Sequence, residues 1–392
     1  SITEESVVRN HLVLGEGDAL NNLIYNKSIN EIQSLNIFKE VKSKIVDSGI
    51  ENKKNININV EEKATGEISA GAGVGTSGGS ISFGIKENNF LGKGIKLSSN
   101  IALTEESIRG GIDYANPKFR NTDKALNFGL GTTVTDKLAD FGYKSSYTSF
   151  FLGTGFEQYD DLFYSPKFLV SYDKVETSNS ASSALKKQKG DYFTTAINYG
   201  IDYDKRNQKF QTTSGTRHRF MQSIPLYSTE LAFSNSYEFN SYFEVTEDII
   251  SSLSFSGGFI TALESGEDVR ISQRLSIPSR KLRGFEVGRV GPVDGKDHVG
   301  GNYSATLNFN TDLPILASMQ NTDVKWFFDA ANLWGVDYRN YDHDSSKIRS
   351  STGVAVDWYT PIGPLNFSYS QVLTSKDTDI EETFRFSIGT TF

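Results

Sequence analysis

Cysteine is absent from the 392-residue sequence, and this absence removes several kinds of chemistry at once. A disulfide framework, a thiolate zinc site and a cysteine nucleophile all need a thiol. The sequence also lacks an HExxH motif and a GxSxG nucleophile elbow, although a Ser/His/Asp set assembled in space stays open. The four histidines are scattered along the chain, at His11, His218, His298 and His343. We therefore expect no metal, no cofactor and no catalytic residue.

Long apolar runs are missing as well. No window reaches the roughly 18 unbroken apolar residues that a membrane-spanning helix needs, and the mean hydropathy is −0.39. A helical membrane protein is therefore excluded. A transmembrane β-barrel is not, because its strands need apolar residues only at alternate positions and enclose a polar set.

The sequence also has no excess of positive charge. It contains 40 Lys and Arg residues against 48 Asp and Glu residues, and the net charge is −8. Nucleic acid requires a basic face, so we expect no nucleic-acid partner. The glycines of Gly71-Ala72-Gly73-Val74-Gly75 are reminiscent of a phosphate-binding loop. The sequence predicts no helix after them, however, and such a loop depends on a helix amino terminus.

The first 62 residues predict a small α/β module. Thr3, followed by two glutamates, marks a helix start, and Asp18 is expected to open a second helix. Residues 38–46 predict a strand, and the alternation around Ile58 predicts another. The order α-α-β-β gives only a marginal core for so short a module, so we expect a missing first strand or a neighbouring domain.

From residue 63 to Phe392 a two-residue period replaces the helical period, which predicts mainly β structure. Phe384, Phe386 and Ile388, for example, alternate with Arg385 and Ser387. About 16 such runs can be counted, and an even count is typical of a bacterial membrane barrel of antiparallel strands. Short connections such as 76–78 and 246–248 are expected on the periplasmic side. The predicted runs start near residues 67, 79, 94, 107, 125, 142, 162, 191, 215, 231, 250, 300, 323, 348, 363 and 382.

A soluble β-sandwich or propeller also alternates and is the alternative for this region. A dry core does not tolerate the polar, charged side chains on the second face of these runs. The aromatic carboxy terminus also favours the membrane barrel.

A segment without strand periodicity, residues 264–300, interrupts the predicted strands. Loops of this length are usually functional or disordered. The segment contains Lys281-Leu282-Arg283-Gly284-Phe285, and a barrel of about 16 strands leaves an aqueous lumen into which the loop could fold. Arg283 would then need an acceptor, and Asp329 shares the inward parity of Lys325. The alternative is a surface loop with a solvated arginine.

Several motifs together resemble the BamA family of outer-membrane assembly factors. They are KLRGF at 281–285, VGGN at 299–302, FFDAANLW at 327–334, WYTPIGPLNFSYS at 358–370 and FRFSIGTTF at 384–392. EGDALNNLIYNKSINEIQSLNIFKEV at 16–41 is similar to the family's last periplasmic POTRA module.

The resemblance covers essentially the whole chain and implies its organisation. Residues 1–62 would be a partial last POTRA module in the periplasm, and residues 63–392 a barrel in the bacterial outer membrane. The POTRA fold is β-α-α-β-β, so this copy lacks the first strand. The sequence has no initiator methionine or signal peptide at Ser1, and we expect a fragment without the signal peptide and the earlier POTRA modules.

The resemblance also implies roles for individual residues. The family's loop arginine matches Arg283, followed by Gly284 and Phe285 of the same motif. Its acidic partner, on the strand after next, matches Asp329. A second acidic partner falls on Asn308, which can form a hydrogen bond but cannot neutralise a charge. The arginine is therefore expected to depend mainly on Asp329.

The implied function is the assembly and insertion of β-barrel proteins. The implied partners are unfolded outer-membrane β-barrel clients, outer-membrane lipid, and accessory assembly lipoproteins bound through the POTRA module. The alternatives are a POTRA-containing secretion pore, a translocation-and-assembly barrel, a passive porin and a barrel enzyme. The amino-terminal module argues against a porin, which needs no periplasmic docking domain.

The resemblance further implies a lateral gate between the first and last strands, where client strands add. Glycines in the first strand weaken pairing, and a glycine in the last strand permits a kink. The alternative is that glycines simply suit a tightly curved barrel. Ala70 and Ser387 are expected near each other across this seam. The expected gate residues are Gly71, Gly73, Gly75, Gly389 and Phe392.

Overall fold

The computed structural model describes residues 3–209, 211–246, 249–314, 321–336, 347–360 and 363–389. Its first part consists of two helices and a two-stranded sheet. These are α1 (Glu5–Arg9), α2 (Asn22–Ser34), β1 (Phe38–Asp47) and β2 (Lys54–Glu62). None of the helices in the described ranges is long and apolar enough to cross a membrane.

The amino-terminal module has a small core, and its second helix begins later than the sequence predicts. The Asn21 side chain accepts a hydrogen bond from the Leu23 N–H at 2.8 Å and caps α2. The predicted start at Asp18 is wrong, because the Asp18 carboxylate instead accepts the N–H of Gly15 in the preceding turn. The buried core residues are Val7, Ile32, Ile37 and Phe38.

The other long strands form one closed antiparallel barrel of sixteen strands, which confirms the predicted fold and excludes a sandwich or propeller. They are β3 (Gly66–Gly75), β4 (Gly78–Phe90), β5 (Ile95–Thr104), β6 (Ser107–Asn116), β7 (Ala125–Lys137), β8 (Tyr143–Tyr159), β9 (Leu162–Thr177), β10 (Gly190–Asp204), β11 (Gly215–Ser228), β12 (Ala232–Thr246), β13 (Ile249–Ala262), β16 (Tyr303–Asp312), β17 (Thr322–Trp334), β18 (Arg349–Thr360), β19 (Gly363–Thr374) and β20 (Phe384–Gly389). A short hairpin, β14 (Val293–Asp294) with β15 (Asp297–His298), lies between β13 and β16. Helix α3 (Ser183–Lys187) lies between β9 and β10.

Alternation gives the barrel wall two chemically different faces. On β4, the large apolar residues Ile81, Phe83 and Ile85 are about half exposed or more. On β17, Phe327 and Asp329 are fully buried on the lumen side. Exposed apolar side chains on one face and buried polar ones on the other are the arrangement of a membrane barrel.

Successive connections alternate between the two ends of the barrel because the strands are antiparallel. The amino-terminal module contacts one end: the Glu4 N–H donates to the Gly92 carbonyl at 2.8 Å, and Asn10 donates to Asn121 at 2.7 Å. β12 ends at Thr246 and β13 begins at Ile249, both at this module end, and residues 247–248 between them lie outside the described residues. The β3–β4 connection, 76–77, lies at the opposite, far end. The prediction that both short connections share the periplasmic side is therefore wrong.

The connection between β13 and β16 enters the barrel from the far end and packs against the inner wall. It supplies residues to two buried apolar clusters, so it has a defined conformation rather than a solvated one. One cluster, at β9 and β10, comprises Val175, Ala181, Leu185, Tyr192, Ile271 and Val299. The other, at β17, comprises Ile277, Leu282, Phe285, Val290, Ala331 and Leu333. We call residues 263–302 the lumen loop.

Candidate functional site: the lumen loop and the barrel seam

The carboxylate of Asp329 receives the side chain of Arg283. Nε of Arg283 donates to Oδ2 at 2.7 Å and Nη2 donates to Oδ1 at 2.7 Å. The backbone N–H of Arg283 also donates to Oδ2, at 3.0 Å. Asp329 is completely buried and the Arg283 side chain is 14% exposed. A bidentate pair with so little solvent contact fixes both position and orientation.

Two asparagines on β16 complete the site, and their hydrogen-bond partners differ from those that the sequence predicts. The acceptor for the remaining Arg283 bond is Asn310, whose Oδ1 lies 2.8 Å from Nη2. Asn308 was expected to meet the arginine, but its Nδ2 donates to Asp329 and to the Lys281 carbonyl, each at 2.8 Å. Both side chains point inward. Arg283 extends far enough along the barrel axis to contact Asn310. Strand register alone does not predict how far the loop extends.

The two residues after Arg283 are held by close packing. Gly284 has φ +90°, and a Cβ there would lie 3.2 Å from that of Ser370 and 3.3 Å from that of Ser351. Both the backbone conformation and the space therefore require glycine. Phe285 is 2% exposed and belongs to the apolar cluster at β17. The guanidinium of Arg283 lies 3.6 Å from the centre of the Phe327 ring, a cation–π contact.

The described part of the seam between β20 and β3, where the barrel closes, is short. Three residue pairs are described there, Ser387 with Gly75, Ile388 with Val74 and Gly389 with Gly73. Five pairs join β19 to β20, and each of the other barrel strand pairs has more. Among the described residues the seam thus has the fewest ladder positions, and backbone hydrogen bonds across it are correspondingly few.

The predicted gate residues fall into three groups. Gly73, Gly75 and Gly389 lie in the seam itself, whereas Gly71 is described in a pair with Ser82 of β4. Phe392 lies outside the described residues. The expected proximity of Ala70 and Ser387 is wrong, because Ser387 pairs with Gly75 and Ala70 pairs with Phe83. Strand stagger sets this register, and the two-residue period carries no information about stagger.

Sequence reasoning missed two further ion pairs at the far end. Arg349 donates to both oxygens of Asp379 at 2.9 and 3.0 Å, and both side chains are buried. Nε of Arg270 lies 3.6 Å from Oε2 of Glu230, and the guanidinium lies 4.3 Å from the centre of the Tyr192 ring. Burial raises the pKa of Glu230 to about 7, against the opposing effect of Arg270. Asp379, Arg270 and Glu230 lie in loops, where alternation predicts nothing, and Arg349 is the first residue of β18.

Comparison with known proteins identifies a family. Residues 89–392 match the Omp85 superfamily domain. Over its whole length the chain is 24% identical to the outer membrane protein assembly factor BamA of Neorickettsia risticii, covering 53% of that protein. It is 22% identical to BamA of Neisseria meningitidis, covering 55% of that protein. The chain thus spans about half the length of the curated relatives it matches.

Solved structures share the fold. A crystal structure of BamA from Haemophilus ducreyi lacking POTRA domains 1–3 superposes with a TM-score of 0.84 at 22% identity, covering 100% of this chain and 82% of that chain. CdiB from Acinetobacter baumannii superposes with a TM-score of 0.65 at 14% identity, covering 100% of this chain and 72% of that one. The BamA barrel is therefore the nearer of these two in shape.

Proposed function

The chain belongs to the Omp85 superfamily, and from that premise we propose that it forms the membrane-embedded part of a factor that folds and inserts β-barrel clients. The observation that carries the proposal is the seam: a closed sixteen-stranded barrel whose first and last strands share only three described residue pairs. A barrel that serves only as a pore has no functional need for a weakly paired seam. An insertase needs one place where its wall can open.

The protein is located in the bacterial outer membrane. The closed barrel has an apolar outer face, and the relatives that match the full chain are outer membrane proteins. Pairing of each barrel strand with two neighbours limits the number of unpaired backbone groups inside the hydrocarbon, where each costs several kcal/mol. Outer-membrane lipid is accordingly the proposed partner of the exposed residues such as Ile81 and Phe83.

The proposed mechanism is lateral opening between β3 and β20. Each net backbone hydrogen bond contributes roughly 0.5–1.5 kcal/mol, so a seam with few bonds opens at small cost. Glycines at 73 and 75 also leave the first strand with little side-chain packing there. An unfolded client strand would then pair with the exposed edge by β-augmentation. No step needs a catalytic residue or a cofactor.

In this proposal the lumen loop holds one part of the barrel wall rigid while the seam opens. Arg283 ties the loop to β16 through Asn310 and to β17 through Asp329, while the Ser351 hydroxyl of β18 donates to the Arg283 carbonyl. Three consecutive wall strands are thereby held together from the inside. Opening at the seam can then occur without loss of the rest of the barrel.

The amino-terminal module is proposed to be the last POTRA module, in the periplasm, and to recruit accessory assembly lipoproteins. Its support is structural: the module docks on the barrel connections at one end through Glu4 and Asn10. That end would be periplasmic, so the lumen loop would enter from the outside.

Depletion of the protein in the bacterium that encodes it tests the proposed function. We expect barrel proteins of the outer membrane to fall together, while periplasmic proteins and helical membrane proteins remain. If barrels persist and one exported protein disappears, the secretion-pore alternative replaces the proposal. If permeability to small solutes is the only change, the protein is a porin.

A further inference from the structure

The chain just before the last strand is paired with the lumen loop. The N–H of Glu286 donates to the Ile380 carbonyl at 2.9 Å, and the N–H of Glu382 donates to the Gly284 carbonyl at 2.9 Å. Between these bonds Phe285 and Glu381 form an antiparallel bridge. The N–H of Ile380 also donates to the Arg289 carbonyl, at 3.1 Å. We call residues 379–385 the strap.

These bonds lie on the same edge of the chain that, from Phe386 onward, faces β3. Backbone groups of alternate residues in an extended chain point to opposite edges. Residues 380 and 382 bond to the lumen loop, and the Phe386 carbonyl accepts the N–H of Thr76, just after β3. Thr383 points the other way, since its carbonyl accepts the N–H of Ser370 in β19. The lumen loop therefore occupies the β3-facing edge of the strap, just before the last strand.

One side chain pins the loop to this edge. Arg385 donates from Nη2 to the Phe285 carbonyl at 2.8 Å and from Nε to Glu382 at 2.6 Å. It thus joins the backbone of the loop to the strap and the strap to the start of β20. Removing the guanidinium frees the Phe285 carbonyl without touching the bonds between Arg283 and Asp329.

The strap itself is fixed, whereas the loop segment has hinges. Asp379 is held by the buried Arg349 at the start of β18. The loop segment is bounded by Gly284, with φ +90°, and Gly288, with φ +75°. Glycine allows large backbone rotation at both positions. Residues 285–287 can therefore leave the strap while Arg283 stays on Asp329.

We propose that residues 285–287 of the lumen loop stand in for a client strand on the strap, at the edge that β3 occupies further along the chain, and that an extended client segment takes their place during insertion. This inference rests on the proposed function, because it assigns the loop a role in regulating the same seam. Arg385 is a positioning residue that sets how readily the exchange occurs. The chemistry recognised is a bare β-strand backbone, which the loop supplies until the client arrives.

A disulfide between the bridge partners tests the exchange. The change is Phe285→Cys with Glu381→Cys, at opposite positions whose Cα atoms are about 4.5 Å apart in such a pair. Both the oxidised and the reduced protein lack the phenyl ring, so any difference between them comes from the cross-link. The probe is a labelled synthetic peptide with the sequence of residues 303–312, an extended segment of alternating polarity. A disulfide between Cys replacements of Leu130 and Phe150, opposite residues of β7 and β8, is the control.

We expect the oxidised protein to bind the peptide about tenfold more weakly than the reduced protein, with no such difference for the control cross-link. Arg385→Ala should bind more tightly than the wild type and should speed amide exchange at Glu286 and Glu382, with exchange at Phe327 unchanged. Arg385→Lys keeps the positive charge but loses the planar, two-pronged guanidinium. Its affinity for the peptide should therefore lie between those of the wild type and Arg385→Ala. Equal binding by the oxidised and reduced proteins, or binding by neither, would overturn the inference.

Insertion assays separate this inference from the proposed function. If the reduced protein inserts clients and the oxidised protein does so equally well, the loop is not a stand-in, although the protein remains an insertase. If the wild type inserts no client, the proposed function fails. The peptide measurement still decides whether the edge is exchangeable.

Discussion

Gly389 of the last strand lies directly against Gly73 of the first strand. A Cβ atom at Gly389 would come within 2.5 Å of the Cα atom of Gly73 and 2.6 Å of the Ala72 carbonyl oxygen. The φ angle of Gly389 is +130°, a value that residues with a Cβ rarely adopt. The two strands can therefore approach closely here only because neither residue has a side chain.

Gly389→Ala should weaken the seam while the rest of the barrel remains folded. The strained backbone and the clash together should cost on the order of 1–3 kcal/mol. Amide exchange at Gly73 and Val74 should therefore become faster. Gly131→Ala in β7 is the matched control, since the nearest atom to its added Cβ is 3.7 Å away. Wild-type exchange at Gly73 in the Gly389 variant would contradict the described pairing.

The pair of Arg283 and Asp329 should show strong energetic coupling. Asp329→Ala leaves a buried guanidinium without its carboxylate, which should cost roughly 3–5 kcal/mol. Because the double variant with Arg283→Ala leaves no unpaired charge, it should cost less than the sum of the single changes. The midpoint of heat denaturation in detergent measures all three. Strictly additive losses would mean that the two side chains do not interact.

Replacing the two asparagines on β16 with aspartate should have opposite effects. Asn308→Asp places a carboxylate against Asp329 and the Lys281 carbonyl, both acceptors, so the barrel should lose heat stability at neutral pH. Acidic pH should restore part of this loss, because a protonated carboxyl can donate. Asn310→Asp keeps an acceptor for Nη2 of Arg283 and should be tolerated or stabilising. The reverse ranking would show that the hydrogen bonds are assigned to the wrong residues.

The buried Glu230 should make barrel stability depend on pH. Burial raises its pKa from the ordinary glutamate value of 4.5 to about 7. Between these values the folded state binds more protons than the unfolded state, so stability falls as pH rises from about 4.5 to about 7. Glu230→Gln should flatten this part of the melting profile. Glu264→Gln, at an exposed residue of the lumen loop, is the control and should leave the slope unchanged.

The alternation of side chains predicts most of the barrel and the faces of its residues. It predicts that Asp329 and Lys325 share a face, and all sixteen strands begin within three residues of the predicted starts. It could not choose between Asn308 and Asn310, which have the same parity, because loop height decides that contact. The seam register and the Arg349–Asp379 pair depend on stagger and on loop conformation. Neither leaves a periodic signal in the sequence.

Locking the seam tests the central claim most directly. Val74 and Ile388 are opposite residues of β3 and β20, and opposite side chains in a ladder have Cβ atoms about 4.5–5.5 Å apart, close enough for a disulfide after a small adjustment. The measurement is the rate of client insertion by the Val74→Cys, Ile388→Cys protein before and after reduction, with the cross-link between positions 130 and 150 as control. We expect a folded barrel that inserts no client while oxidised and recovers on reduction. Insertion by the locked protein at the unlocked rate would contradict the account.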